Sequence, residues 1–161
     1  MALTKLNHSS MPTDSVLQVV HSSATSEVSQ SGNTASFTDT GLSASITPKF
    51  STSKILVTGY LSFYADGTNN GSVEFNFALC DNSNNILDGT TSDLEGYRLN
   101  QTYDFGSKHT INFLHSPNTT SAFTYKVRMN AKNSNNSLTL YCQKGGTGNN
   151  ASRITLTEIA G

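Results

Sequence analysis

The sequence has no tryptophan, three prolines, two cysteines and few charges. Asp, Glu, Lys and Arg make up 13% of its 161 residues, about half the usual share for a globular chain. Ten basic residues are scattered against eleven acidic ones, for a net charge of −1. The Lys and Arg cluster that phosphate binding needs is missing, which argues against nucleic acid as a partner. No apolar run approaches the ~18 residues of a membrane helix, so membrane insertion is not expected. The opening MALTKLNHSSMPTDS lacks the apolar block of a secretory signal, and assembly in a cytoplasm is expected. In such a reducing compartment Cys80 and Cys142 read as buried free thiols, each in line with an apolar strand face. Spacing alone does not exclude a bridge between them.

The motifs of common chemistries are also missing. There is no Cys-x-x-Cys or His-x-x-x-His for a structural zinc. His109 and His115 fall on one strand face about 20 Å apart at roughly 3.3 Å per residue, too far to share a metal. Asp81-Asn82-Ser83-Asn84-Asn85 begins like a calcium loop, but Ile86 and Ser92 stand where that loop needs Gly and Glu, so it reads as a solvated turn. Gly146-Thr147-Gly148 leads to a strand and not to the helix that a dinucleotide fingerprint requires. No Gly-x-Ser-x-Gly occurs. Asp88, Asp93, Glu95 and Asp104 are the one acidic set that could flank a sugar. No catalytic residue, metal ligand or cofactor site is assigned, and an enzyme is not expected. The sequons at Asn7, Asn70, Asn100, Asn118 and Asn150 follow from the abundance of Asn, Ser and Thr.

That abundance is the main positive feature. Ser, Thr and Asn number 23, 21 and 17, so hydroxyls and amides cover the solvent face in place of charges. Apolar residues come in alternating runs, and an extended backbone sends successive side chains to opposite sides. In Lys54–Ala65, Ile55, Val57, Gly59, Leu61, Phe63 and Ala65 share one face, and Leu56, Thr58, Tyr60, Ser62 and Tyr64 share the other. The preceding run, Thr38–Phe50, alternates Leu42, Ala44 and Ile46 until Pro48 ends any ladder. The two runs read as a hairpin-like pair that seeds the core.

Further strands are expected over Ser15–His21, around Glu27–Gln30, and over Ser72–Asp81, Ile86–Asp88, Ser107–His115, Ser121–Ala131, Leu138–Cys142 and Arg153–Ile159. Glu74, Asn76 and Ala78 should face outward, and Phe37, Phe63, Phe75, Phe77, Phe113 and Phe123 inward. Thr90–Gly106 is irregular and reads as a long loop, a candidate contact surface. No window carries the helical i, i+3, i+4, i+7 pattern. About eight to ten short strands with turn signals every ~8–12 residues describe an all-β, antiparallel β-sandwich or jelly-roll-like single domain over residues 15–161. Residues 1–14 form a polar lead whose only large apolar groups are Leu3, Leu6 and Met11. Three such groups make no core, so the segment reads as an N-terminal arm packed on a neighbouring subunit.

The phrases MPTDSVLQVV, FTDTGLSASITPKFSTSKILV and HSPNTTSAFTYKVRM and the ending ITLTEIAG resemble small structural proteins of tailed bacteriophages, notably phages of cyanobacteria and other aquatic bacteria. The resemblance runs from Met11 to Gly161 and rests on strand and turn signatures. It implies a virion protein without cofactor, either a capsid decoration (cement) protein or a tail-fibre protein. The partners it implies are copies of itself, as a trimer, and other virion proteins such as the major capsid protein. Contacts are expected from Leu3, Leu6 and Met11 in the arm and from Leu56, Tyr60 and Tyr64 on the outward strand face. In a tail-fibre or receptor-binding tip, the loops Thr68–Gly71, Thr90–Gly106 and Gly145–Asn150 would bind a host surface glycan, with Tyr97 and Tyr103 stacked on the sugar.

Overall fold

The computed structural model describes residues 12–32, 36–67, 73–88, 104–133 and 138–161. Ten strands run through them: β1 (Val16–Ala24), β2 (Val28–Ser31), β3 (Thr38–Ile46), β4 (Lys54–Gly67), β5 (Val73–Cys80), β6 (Ile86–Asp88), β7 (Asp104–His115), β8 (Phe123–Asn133), β9 (Leu138–Cys142) and β10 (Ser152–Ile159). A single 3-10 turn, Gly148–Asn150, is the only helical element among the described residues. All pairings are antiparallel. One sheet has six strands and the other four, ordered β3-β8-β5-β6. Within the larger sheet, β1-β10-β4-β7 lies opposite those four, which is the strand order of an eight-stranded jelly roll. Strands β2 and β9 are an added pair joined to β4.

Strand β4 organises the larger sheet. Its full length pairs with β7 along one edge. Along the other, Lys54–Tyr60 pair with β10, and Phe63–Gly67 pair with β9. Between the two partners the ladder is completed by one side chain and one backbone amide. The Ser62 N–H donates to Ser152 Oγ at 2.9 Å, and the Ser62 carbonyl accepts from the Gln143 N–H at 3.1 Å. Gln143 is fully buried, and its backbone is left-handed (φ 52°), a conformation costing a non-glycine residue roughly 1–2 kcal/mol. Its side-chain amide offsets that cost: the NH2 group donates to the Ser26 and Thr40 carbonyls at 3.1 Å, and its oxygen accepts from Ser152 Oγ at 2.5 Å. Where β4 meets the start of β10, Gly59 allows close backbone approach, because a Cβ there would stand 2.1 Å from the Arg153 carbonyl oxygen.

The core follows the alternation. Ile55, Val57, Leu61, Phe63 and Ala65 of β4 are buried against Leu42, Ala44 and Ile46 of β3 and Phe75, Phe77 and Leu79 of β5. Phe63 meets Phe75 and Phe77 with ring centroids 5.1 Å apart. Each large side chain removed from water contributes about 1.5–3 kcal/mol.

Four expectations are corrected. The runs ending in β3 and β4 do not form a hairpin: β3 belongs to the four-stranded sheet and β4 to the six-stranded one. Residues 47–53 carry the chain across, so that two strands with one apolar face each oppose those faces through the core. Phe37 lies before β3, only partly buried and outside the core cluster, where its carbonyl accepts from Arg128 Nη2. On the side of β5 away from Phe75 and Phe77, Asn76 and Ala78 are buried and not solvated. Strand β7 also starts earlier than expected, at Asp104.

Candidate functional site

Register sorts the outward side chains of the larger sheet into rows that cross its strands. Val19, Thr157, Leu56 and Leu114 are successive lateral partners on β1, β10, β4 and β7. Val19 and Leu114 are 59% and 51% exposed, and Val16, the lateral partner of Ile159 on the same face, is 57% exposed. The next row is His21, Thr155, Thr58 and Asn112, and the one after is Ser23, Arg153, Tyr60 and Thr110. Beyond it Ser62 faces Lys108, and Tyr64 lies between Gly106 and Tyr141. The face therefore runs from an aliphatic row through threonines to an aromatic, basic end.

At that end two lysines sit on tyrosines of β4. Lys108 Nζ lies 4.6 Å from the Tyr60 ring centroid, and Lys144 Nζ lies 3.5 Å from that of Tyr64 and 4.6 Å from that of Tyr141. Tyr64 and Tyr141 meet edge to face at 6.4 Å. Asp66 approaches Lys144 at 3.8 Å, a surface separation that contributes at most ~1 kcal/mol. A trough of about 360 Å³ opens here, lined by Tyr64, Lys108 and Lys144 together with Ser62, Gly106 and Asn150.

A second cavity of about 200 Å³ opens between the sheets, where His109, Phe77 and Asp88 line it. The His109 ring packs on Phe77 at 5.1 Å. Deeper in the same side of the sandwich, the Tyr125 hydroxyl and His115 Nδ1 are 2.9 Å apart, within rings from Phe113 and Phe123. Burial holds His115 below the usual histidine range, against a weaker opposite pull from Asp81, and pushes the Tyr125 hydroxyl up.

Leu56, Tyr60 and Tyr64 thus lie on one outer face, half-buried, as their alternation predicts. Leu3, Leu6 and Met11 of the arm lie outside the described residues, as do Tyr97 and Tyr103, Asp93 and Glu95, and the loops before β5 and β7. Asp88 lines the second cavity, and Asp104 opens β7. Among the described residues no three His, Cys, Asp or Glu side chains gather as a metal site. In the turn after β5, the Asp81 carboxylate accepts from the Ser83 and Asn85 N–H groups at 2.8 and 2.9 Å and from Asn85 Nδ2 at 2.7 Å. Slight burial would raise its pKa, but those bonds bring it below the usual carboxylate range. Cys80 and Cys142 are free and buried.

Sequence reasoning missed Val19, Lys108, Leu114, Tyr141 and Lys144. Tyr141 was legible as outward, since it alternates with Leu140 and Cys142. That it touches Tyr64 depends on the β4–β9 register, which carries no sequence signal.

No protein-family model matches the sequence, and no curated protein matches it. Among solved structures the chain is similar to that of the infectious bursal disease virus Gt strain, with TM-score 0.46 and 12% identity over 91% of this chain and 40% of that one. It is similar to the Gx strain of that virus, with TM-score 0.46 and 15% identity over 92% and 37%. Similarity extends to the VP2 subviral particle of the same virus, with TM-score 0.44 and 12% identity over 88% and 39%. The chain spans about 40% of the length of those structures, or slightly less.

Proposed function

We propose that this chain is a non-enzymatic structural protein of a tailed-bacteriophage particle. It decorates and cements the outside of the head as a trimer, assembled in the host cytoplasm. The observation that carries this reading is the outer face of the larger sheet, where Val19, Leu56 and Leu114 form an aliphatic row open to a partner. Covering apolar surface contributes about 25 cal/mol per Å², and a specific interface needs roughly 1,000 Å² or more. A row of aliphatics backed by threonines supplies the apolar centre of such an interface. The resemblance to phage virion proteins points the same way. The jelly roll is an architecture that capsid and lectin domains share, a likeness at the level of fold only. The arm, through Leu3, Leu6 and Met11, clamps a neighbouring copy or the major capsid protein, and no cofactor takes part.

Particles lacking the protein are expected to lose resistance to heat and osmotic shock while still adsorbing to cells. Val19→Glu with Leu114→Glu should block incorporation into particles without lowering the melting temperature of the purified protein. Intact heads that fail to adsorb would overturn the cement reading. They would favour a second one, a tail-fibre or receptor-binding tip that binds host glycan. The trough beside Tyr64 is the observation in favour of that second reading.

A further inference from the structure

We propose that the trough on the outer face of the larger sheet binds a saccharide that carries an acid group; this deepens the glycan-binding reading and rests on it. The trough holds about 360 Å³, within the range of roughly 300–1,000 Å³ of small-molecule sites. Its chemistry is that of sugar recognition, an aromatic wall with hydroxyl and amide groups around it. Ser62 and Asn150 line it, and their side chains can both donate and accept. Gly106 stands beside Tyr64, and a Cβ there would come within 3.1 Å of Tyr64 Cδ2, so the missing side chain leaves room in the trough at that point.

The charge selects an acidic sugar. Lys108 and Lys144 both line the trough, and among the described residues no carboxylate does. Each ammonium is held on a tyrosine ring, which restricts the side chain without cancelling its charge. Asp66 lies 3.8 Å from Lys144, and among the described residues Lys108 rests on the Tyr60 ring. Arg153, the lateral neighbour of Tyr60, adds a third cation to the same face. In a chain of net charge −1 with 13% charged residues, this convergence favours an anion. A carboxylate or a sulfate on the sugar would accept a charge-assisted bond from a lysine of the trough.

The test is titration calorimetry of the whole protein with digalacturonate and sialyllactose as carboxylated probes, a sulfated galactobiose, and neutral galactobiose and maltotriose. Acidic sugars are expected to bind at least about tenfold more tightly than neutral ones, one charge-assisted contact's worth. The carboxylated and sulfated arms identify which acid group is preferred. Lys108→Gln and Lys144→Gln should each weaken acidic-sugar binding about tenfold, and Gly106→Val, which fills the trough, should abolish it. Lys54→Gln, an exposed lysine at the opposite end of β4, should leave it unchanged. Lys108 is exposed on β7, so its variant keeps the test valid should Lys144→Gln unfold. Equal binding of neutral and acidic sugars would overturn the acid assignment and leave the glycan reading standing. Binding of no sugar at all would overturn both.

Discussion

Glu158 Oε1 accepts hydrogen bonds from Ser53 Oγ and from the Lys49 N–H, each at 2.6 Å. The other oxygen accepts from Gln18 Nε2, also at 2.6 Å, and that amide reaches the Thr47 carbonyl at 2.7 Å. One fully buried carboxylate on β10 therefore anchors the segment that carries the chain from one sheet to the other. Glu158→Ala should cost about 3 kcal/mol, since buried donors lose a charged acceptor. Urea denaturation, read as a fall in midpoint at unchanged slope, measures it. Glu158→Gln should also destabilise, because its NH2 group would face a donor. A variant as stable as the parent would mean that water replaces the carboxylate.

Gly59 is required by contact. A Cβ 2.1 Å from the Arg153 carbonyl oxygen and 2.9 Å from Ile154 Cα meets backbone on a central strand pair, which cannot give way as a side chain can. Gly59→Ala should cost roughly 3 kcal/mol or more, at the upper end of overpacking. Gly148→Ala, with open space around it, should stay within about 0.5 kcal/mol. Parallel denaturation curves compare the two.

The two thiols should be inert in the folded protein. Cys142 is fully buried, with Met129 Sδ 3.3 Å from its sulfur. Burial pushes both thiol pKa values up, and at Cys80 it outweighs the opposing pull of Arg128 and Lys126. Because the thiolate is the reactive form, a thiol-specific chromogenic reagent should report no reaction with the native protein and reaction of both cysteines after unfolding.

Stability should fall on mild acidification through His115. Its folded pKa lies below the usual 6.5 because of burial, so the unfolded chain takes up the proton first as pH drops. The contribution of neutral His115 is complete above 6.5 and is lost as pH falls from there to the folded pKa. His115→Gln, which keeps an acceptor for the Tyr125 hydroxyl, should flatten this part of a plot of denaturation free energy against pH. An unchanged slope in the variant would assign the loss to other groups.

Much of the architecture was legible in residue order. Alternation in β4 assigned its faces correctly, because the pleat allows a side chain two directions only. In β5 it separated Phe75 and Phe77 from Asn76 and Ala78, but it did not show that both sides are buried. The outward placement of Leu56, Tyr60 and Tyr64 follows from the same rule. Pairing was not legible. The run from Thr38 to Ala65 looks like a hairpin because two alternating segments with a short connection suit one equally well; what separates β3 from β4 is that both bury their apolar faces best from opposite sides of the core.

By itself the sequence determined an all-β sandwich of alternating strands, two buried thiols, a polar surface with little charge, and an outward face on β4 with tyrosines. Each of these is a local property, set by the period of the backbone and the solubility of side chains. Only the tertiary structure decided which residues share the outer face. Tyr141 and Lys144 reach Tyr64 from about eighty residues away in the chain, and Lys108 reaches Tyr60 from about fifty. Such neighbours are chosen by strand order and register, which depend on the fit of the whole core. The tyrosines of β4 were visible in the sequence; the lysines that rest on them were not.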